Sequence, residues 1–141
     1  MGPFGSSSGS DRLRGNDEMK YAVFCYHSEN VVCGWSREHD EAVMVKLGAV
    51  QEKWAKAGKL GPVARLMPTT AATTVRKDSD PPVVLDGPFA ETKEQLLGFF
   101  MIDCAGLEEA LAFTRELAEA NPGGAYEVRP VGYFVDWSVG S

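Results

Sequence analysis

An α+β fold is predicted for this chain by three observations: two segments with apolar residues at helical spacing, several segments of strand character, and the alternation of the two kinds along the sequence. The main strand segments are apolar on both faces, so both sides of the sheet they form need a cover. A length of 141 residues, with 44% hydrophobic and 24% charged side chains, suits one globular domain with one core.

Residues 1–18 begin Met1-Gly2-Pro3-Phe4-Gly5-Ser6 and hold Gly, Ser and charge with almost nothing to bury. They are expected to be a disordered leader or an appended segment, with Met19 as the candidate native start and 19–141 as the folded domain. Residues 20–26 read as a first strand, with Tyr21, Val23 and Cys25 pointing one way and Ala22, Phe24 and Tyr26 the other. After a loop through Gly34, Ser36 caps a helix whose apolar positions Val43, Leu47, Val50 and Trp54 recur at helical spacing up to Gly58. Residues 60–67 make a second strand with Pro62 near its start, and residues 73–76 pair with 83–86 as a hairpin turned by Lys77-Asp78-Ser79-Asp80-Pro81. Residues 96–103 form the clearest later strand, Phe99 and Met101 on one face and Phe100 and Ile102 on the other. A second helix over 107–120 places Leu107, Ala110, Leu111, Thr114, Leu117 and Ala118 on one side, with Glu108 and Glu109 at its positive end. Asn121-Pro122-Gly123-Gly124 ends that helix, and 126–135 is the last strand.

Strand, helix, strand, hairpin, strand, helix, strand is the order of a ferredoxin-like split β-α-β unit with a β-hairpin insertion. Two helices on one face leave the other bare, and a bare apolar sheet face predicts a homodimer joined through the sheets.

Fourteen basic residues stand against twenty acidic ones, for a net charge of −6, and no Lys/Arg cluster occurs. That balance argues against nucleic acid as a partner. No stretch approaches the roughly 20 apolar residues of a membrane helix, and no secretory signal opens the chain, so a cytoplasmic protein with no membrane partner is expected. Cys25, Cys33 and Cys104 are an odd number without Cys-x-x-Cys spacing, which argues against both a disulfide framework and a zinc site, and Cys25 and Cys104, inside apolar runs, read as buried structural thiols. No metal is expected from two histidines and scattered carboxylates, and no Gly-rich phosphate loop suggests a nucleotide, so no cofactor is predicted.

The densest group of ionisable residues follows a rigid turn, in Asp86-Gly87-Pro88-Phe89-Ala90-Glu91-Thr92-Lys93-Glu94. Asp86, desolvated at the rim of an apolar sheet, is a candidate general base. The structural alternative is an Asp that accepts backbone N–H bonds inside the turn. Glu91 and Lys93 are candidate substrate-binding residues, with Glu94 beside them, against the alternative of a solvated surface. His27 ends the first strand, where a cleft would open, and is the candidate for proton transfer. His39, in the first turn of the helix, is the lesser candidate. Arg129 is a candidate for an acidic substrate group, against a plain ion pair with Glu127. Trp35 and Trp137 offer stacking surface, while Trp54 belongs to the helix stripe and the core.

Four stretches resemble the YCII-related family, in the subgroup named for its DGPF motif: Lys20-Tyr21-Ala22-Val23-Phe24, Ala71-Ala72-Thr73-Thr74-Val75-Arg76, Asp86-Gly87-Pro88-Phe89 through Leu96, and Glu127-Val128-Arg129-Pro130-Val131. The resemblance covers residues 19 to about 135. It implies a dimeric α+β barrel of two sheets packed face to face. It also implies, from better-understood relatives, a His/Asp pair in a cleft doing acid–base chemistry without a cofactor. In simpler relatives the histidine lies on the first helix about three turns before its terminal glycine. Counting back from Gly58 puts Leu47 there, and the two histidines present are His27 and His39. Two functions are therefore expected in competition. One is a cofactor-free enzyme that moves protons on a small metabolite through His27 and Asp86. The other is a non-catalytic ligand-binding or regulatory module associated with transcriptional regulators.

Overall fold

The structure, a computed structural model, describes residues 18–137. The expected leader over 1–18 lies outside the described residues apart from Glu18. Six strands and three helices follow: β1 (Met19–His27), α1 (Glu29–Cys33), α2 (Arg37–Lys56), β2 (Leu60–Arg65), β3 (Thr73–Arg76), β4 (Val83–Asp86), β5 (Gln95–Cys104), α3 (Leu107–Ala120) and β6 (Ala125–Pro130). A 3-10 turn at Thr69–Ala71 precedes the hairpin.

The main sheet has the order β2-β5-β1-β6 with every neighbour antiparallel, and β3 with β4 forms a second, two-stranded sheet. Because β1 and β2 both run against β5, which lies between them, they are parallel to each other and joined through α2. This is the split β-α-β arrangement expected from the order of elements. Among the described residues no helix is long and apolar enough to cross a membrane.

Both long helices cover the same face. The core there joins Tyr21 and Val23 of β1, Phe100, Ile102 and Cys104 of β5, Val43, Leu47 and Trp54 of α2, and Ala110, Phe113, Leu117 and Ala120 of α3. Phe113 is fully buried, with its ring edge-on to Trp54 at 5.3 Å and to Phe100 at 5.7 Å. Such pairs stabilise the core beyond what the apolar area removed from water accounts for. The start of α2 is set by Ser36, whose Oγ accepts the His39 N–H at 3.0 Å. At the start of α3 the Glu109 carboxylate reaches back to the Ala105 N–H at 2.8 Å.

On the opposite face, Ala22 and Phe24 of β1 meet Met101 and Phe99 of β5, in the two-sided alternation read from the sequence. Glu127 and Arg129 flank them on β6, and a Lys20–Asp103 ion pair of 2.6 Å closes one end. Among the described residues no helix covers this side.

Four details differ from the sequence reading. The segment expected as a loop before Gly34 contains α1, which buries no residue and so carries no apolar periodicity to read. Strand β2 ends at Arg65, two residues earlier than expected. The last strand ends at Pro130 instead of continuing to 135, because β6 runs antiparallel to β1 and reaches the start of it: Pro130 faces Tyr21, and Val131 N–H donates to the Lys20 carbonyl. The buried stripe of α3 is Ala110, Phe113, Thr114, Leu117 and Ala120, whereas Leu107 is 50% exposed and Ala118 faces solvent. The stripe is centred on Leu117 with Phe113 beside it, and Leu107, the first residue of the helix and roughly 80° around from Leu117, lies at its edge.

Phe113→Ala is expected to cost about 3–5 kcal/mol in urea unfolding. Leu107→Ala is expected to cost less than about 1 kcal/mol, as for an exposed site. Equal losses would place the core stripe of α3 wrongly.

Candidate functional site

Cross-strand register builds the site. On the helix-covered face one row across the sheet reads Val63, Phe100, Val23, Val128, and is filled by large side chains. The row nearer α1 reads Arg65, Gly98, Cys25, Tyr126, so its two central strands carry no side chain and a small one. The gap that results is a cavity of about 100 Å³ between the sheet and α2, roofed by Val43, Met44 and Leu47 and walled at one side by Trp35. A register shift between Cys25 and Tyr26 falls at the same place.

Gly98 is demanded by the backbone. A Cβ there would stand 2.4 Å from the Ala64 carbonyl oxygen and 3.2 Å from Arg65 Cα, so β2 can close on β5 only at a glycine.

The two ends of the row are polar. At one end Asn121 Nδ2 donates to the Tyr126 hydroxyl at 2.9 Å and lies 3.8 Å from Cys25 Sγ. Burial pushes the Cys25 thiol up, against the opposing effects of its Tyr126 and Asn121 contacts, and burial pushes the Tyr126 phenol up as well. Cys25 is therefore a neutral thiol near pH 7, a poor nucleophile. At the other end Arg65 reaches across the start of α2, with Nη2 at 3.3 Å from Asp40 Oδ1 and Nη1 at 3.4 Å from Met44 Sδ.

His27, the residue expected to transfer protons, is buried at the end of β1 but does not line this cavity. Its Nδ1 accepts the Ser28 N–H at 2.7 Å, which leaves the proton of the neutral ring on Nε2. Nε2 packs against the turn after α3, where Gly123 and Gly124 hold φ values of 82° and 77° and a Cβ on Gly123 would lie 2.6 Å away. Trp35 stands edge-on to both histidines, with ring centres 6.0 Å from His27 and 4.6 Å from His39.

Asp86 stands in the other sheet, on β4, and is exposed, so the desolvation expected at the rim of an apolar sheet is absent there. The turn after it is held by other groups: Gly87 N–H donates to the Ala72 carbonyl at 2.7 Å, and Thr74 Oγ1 donates to the Gly87 carbonyl at 2.8 Å. Glu91, Lys93 and Glu94 are exposed. Arg129 faces Ala22 on the uncovered side of the sheet and lies 3.9 Å from Glu127, the ion pair anticipated as its structural alternative. The structure thus brings Trp35 to the cavity with Cys25, and leaves His27, Asp86, Glu91, Lys93 and Arg129 outside its lining. Among the described residues no group of His, Cys, Asp and Glu is placed to hold a metal ion.

Sequence reasoning missed Arg65, Gly98, Tyr126 and Asn121. The one available signal was Gly98, an isolated glycine inside an apolar strand, which marks a bulge or a close backbone approach. Glu29 was also missed: its carboxylate accepts both the Thr69 N–H and the Thr69 hydroxyl at 2.7 Å, while its own N–H donates to Gln95 Oε1 at 2.8 Å. These bonds tie α1, beside the cavity, to the strand connections.

The sequence description of the YCII-related domain matches residues 19–135. An uncharacterized protein of Rhizobium meliloti (strain 1021) is 62% identical over 117 residues, which is 82% of this chain and 94% of that protein.

Thiol labelling at pH 8 is expected to modify Cys33, which is exposed, first. Cys25 should follow slowly, and Cys104, buried and with its thiol pushed up to about 11 by burial, should come last. A raised value leaves less thiolate at pH 8, and peptide mass spectrometry reads the order directly. Cys25 reacting as fast as Cys33 would contradict the neutral, shielded thiol.

Proposed function

Because this chain belongs to the YCII-related domain family, we propose its function from the geometry: a homodimeric, non-catalytic module that binds a small molecule in the slot between α2 and the sheet. The observation that carries this reading is the lining of the slot. Leu47, at the position where simpler relatives are expected to hold their histidine, roofs it with hydrocarbon, and neither His27 nor Asp86 reaches it. A mostly apolar pocket with a few polar groups at its ends suits recognition, and the one carboxylate on its lining, Asp40, is paired with Arg65. Leaving a core slot open forfeits packing energy, which a bound ligand restores.

The homodimer rests on the uncovered sheet face. Phe24, Phe99 and Met101 stand there half-exposed in adjoining positions, and two copies packed face to face would remove them from water. Glu127 and Arg129 would then form a polar border to the interface.

Cys25→Leu is expected to fill the slot, leave melting unchanged or raise stability by about 0.5–2 kcal/mol, and abolish the shifts seen in a metabolite thermal-shift screen. A ligand at 100 times its dissociation constant adds about 2.7 kcal/mol to the wild type, a readily measured shift. Hits that survive in Cys25→Leu bind elsewhere and defeat the proposed site. For the assembly, light scattering at micromolar concentration should give a dimer, and Phe99→Glu should give a folded monomer by circular dichroism. A monodisperse wild-type monomer would remove the homodimer.

A further inference from the structure

We propose that the ligand of this slot is a small apolar monocarboxylate of single-ring size, its hydrocarbon in the gap left by Gly98 and Cys25 and its carboxylate on Arg65; the inference rests on the binding reading above. Size follows from the register. Only the Gly98–Cys25 row is vacant, and the next row is filled by Phe100 and Val23, so the slot is one row deep. Its volume of about 100 Å³ is somewhat smaller than that of the roughly 150 Å³ apolar cavities that accept benzene, and Arg65 on its lining is partly exposed to solvent.

Charge follows from the ends. The ionic groups lining the slot are Arg65 and Asp40, and they are unequal as anchors. Arg65 meets Asp40 through one nitrogen at 3.3 Å and Met44 sulfur through another, so its paired donors are not engaged side by side as they are with a well-seated carboxylate. Both side chains are partly exposed, 55% for Arg65 and 35% for Asp40, and a long single-nitrogen pair in such a place is weak. Asp40 also has a second support. It lies in the first turn of α2, where unpaired backbone N–H groups favour a carboxylate, so it keeps a favourable environment when Arg65 turns away. Arg65, on a strand, has no comparable alternative. An incoming carboxylate therefore replaces a single long contact with a paired one and leaves Asp40 in water at a helix N-terminus. A ligand cation seated on Asp40 would instead face the guanidinium of Arg65. At the far end, the neutral Tyr126 hydroxyl and Cys25 thiol offer no second charge, so one acidic group suffices.

The test uses the full chain and three probes of matched shape: benzoate, benzyl alcohol and benzylammonium. Backbone amide shifts of Cys25 and Gly98 locate binding, and titration gives affinities. Benzoate should bind about ten-fold or more tighter than either analogue. Arg65→Met should abolish that preference, and Asp40→Asn, by removing the competing carboxylate, should tighten benzoate several-fold. A purely structural role for the Arg65–Asp40 pair predicts the reverse for Asp40→Asn, which decides the matter even if Arg65→Met fails to fold. Benzyl alcohol or benzylammonium binding as well as benzoate at Cys25 and Gly98 overturns the carboxylate assignment and leaves the binding module standing. No probe shifting those amides overturns both.

Discussion

The antiparallel register between β1 and β5 governs everything built on this sheet, because it decides which side chains share a row. With Val23 opposite Phe100 and Tyr21 opposite Ile102, the helix-covered face receives a dense core onto which Trp54 and Phe113 close. Two residues further along, the same register sets Cys25 opposite Gly98 and opens a slot. A slip of one residue would turn every core side chain to the opposite face, so the packed core and the vacant row are consequences of one alignment.

The slot persists because its surroundings cannot collapse into it. Strand β2 is held close by the absence of a Cβ at Gly98, α2 is pinned further along by Trp54 against Phe113, and the Trp54 indole N–H donates to Glu116 of α3 at 3.0 Å. Rigid elements on both sides keep a gap that side-chain rearrangement alone does not close. At the end of the slot, α1 has no buried residue of its own and depends on the Glu29 carboxylate gripping Thr69. Removing that grip would leave Thr69 N–H without its charged acceptor and α1 without its main polar tie.

The two histidines illustrate how a residue type suited to catalysis is absorbed by structure. His27 spends one nitrogen on the adjoining backbone N–H and presses the other against a glycine turn, while His39 and His27 together bracket Trp35. The effect is to fix the indole that walls the slot. The hairpin that carries Asp86 stands apart as its own two-stranded sheet, with Val75, Val84 and Phe89 well exposed and the Phe89 ring 5.5 Å from the Arg76 guanidinium. Its conspicuous sequence motif shapes a turn at a distance from the slot lining.

What the sequence determined by itself was the architecture. Alternation of period two in β1 and β5, the capped helical stripe of α2 and the exact hairpin pairing of 73–76 with 83–86 are local patterns, and local patterns survive in a one-dimensional string. Ser36 at the start of α2, Trp54 in its core and the glycine turn after α3 were legible for the same reason. Only the tertiary structure decided the site. Arg65, Gly98, Cys25 and Tyr126 lie on four different strands, and nothing in their spacing announces that they share a row. It also decided which side of α3 is buried, since apolar residues lie at both Leu107 and Phe113 and the contacts of Phe113 with Trp54 and Phe100 set where the stripe is centred. Proximity across a sheet depends on register and on which helix lies above it, and those are properties of the assembled chain.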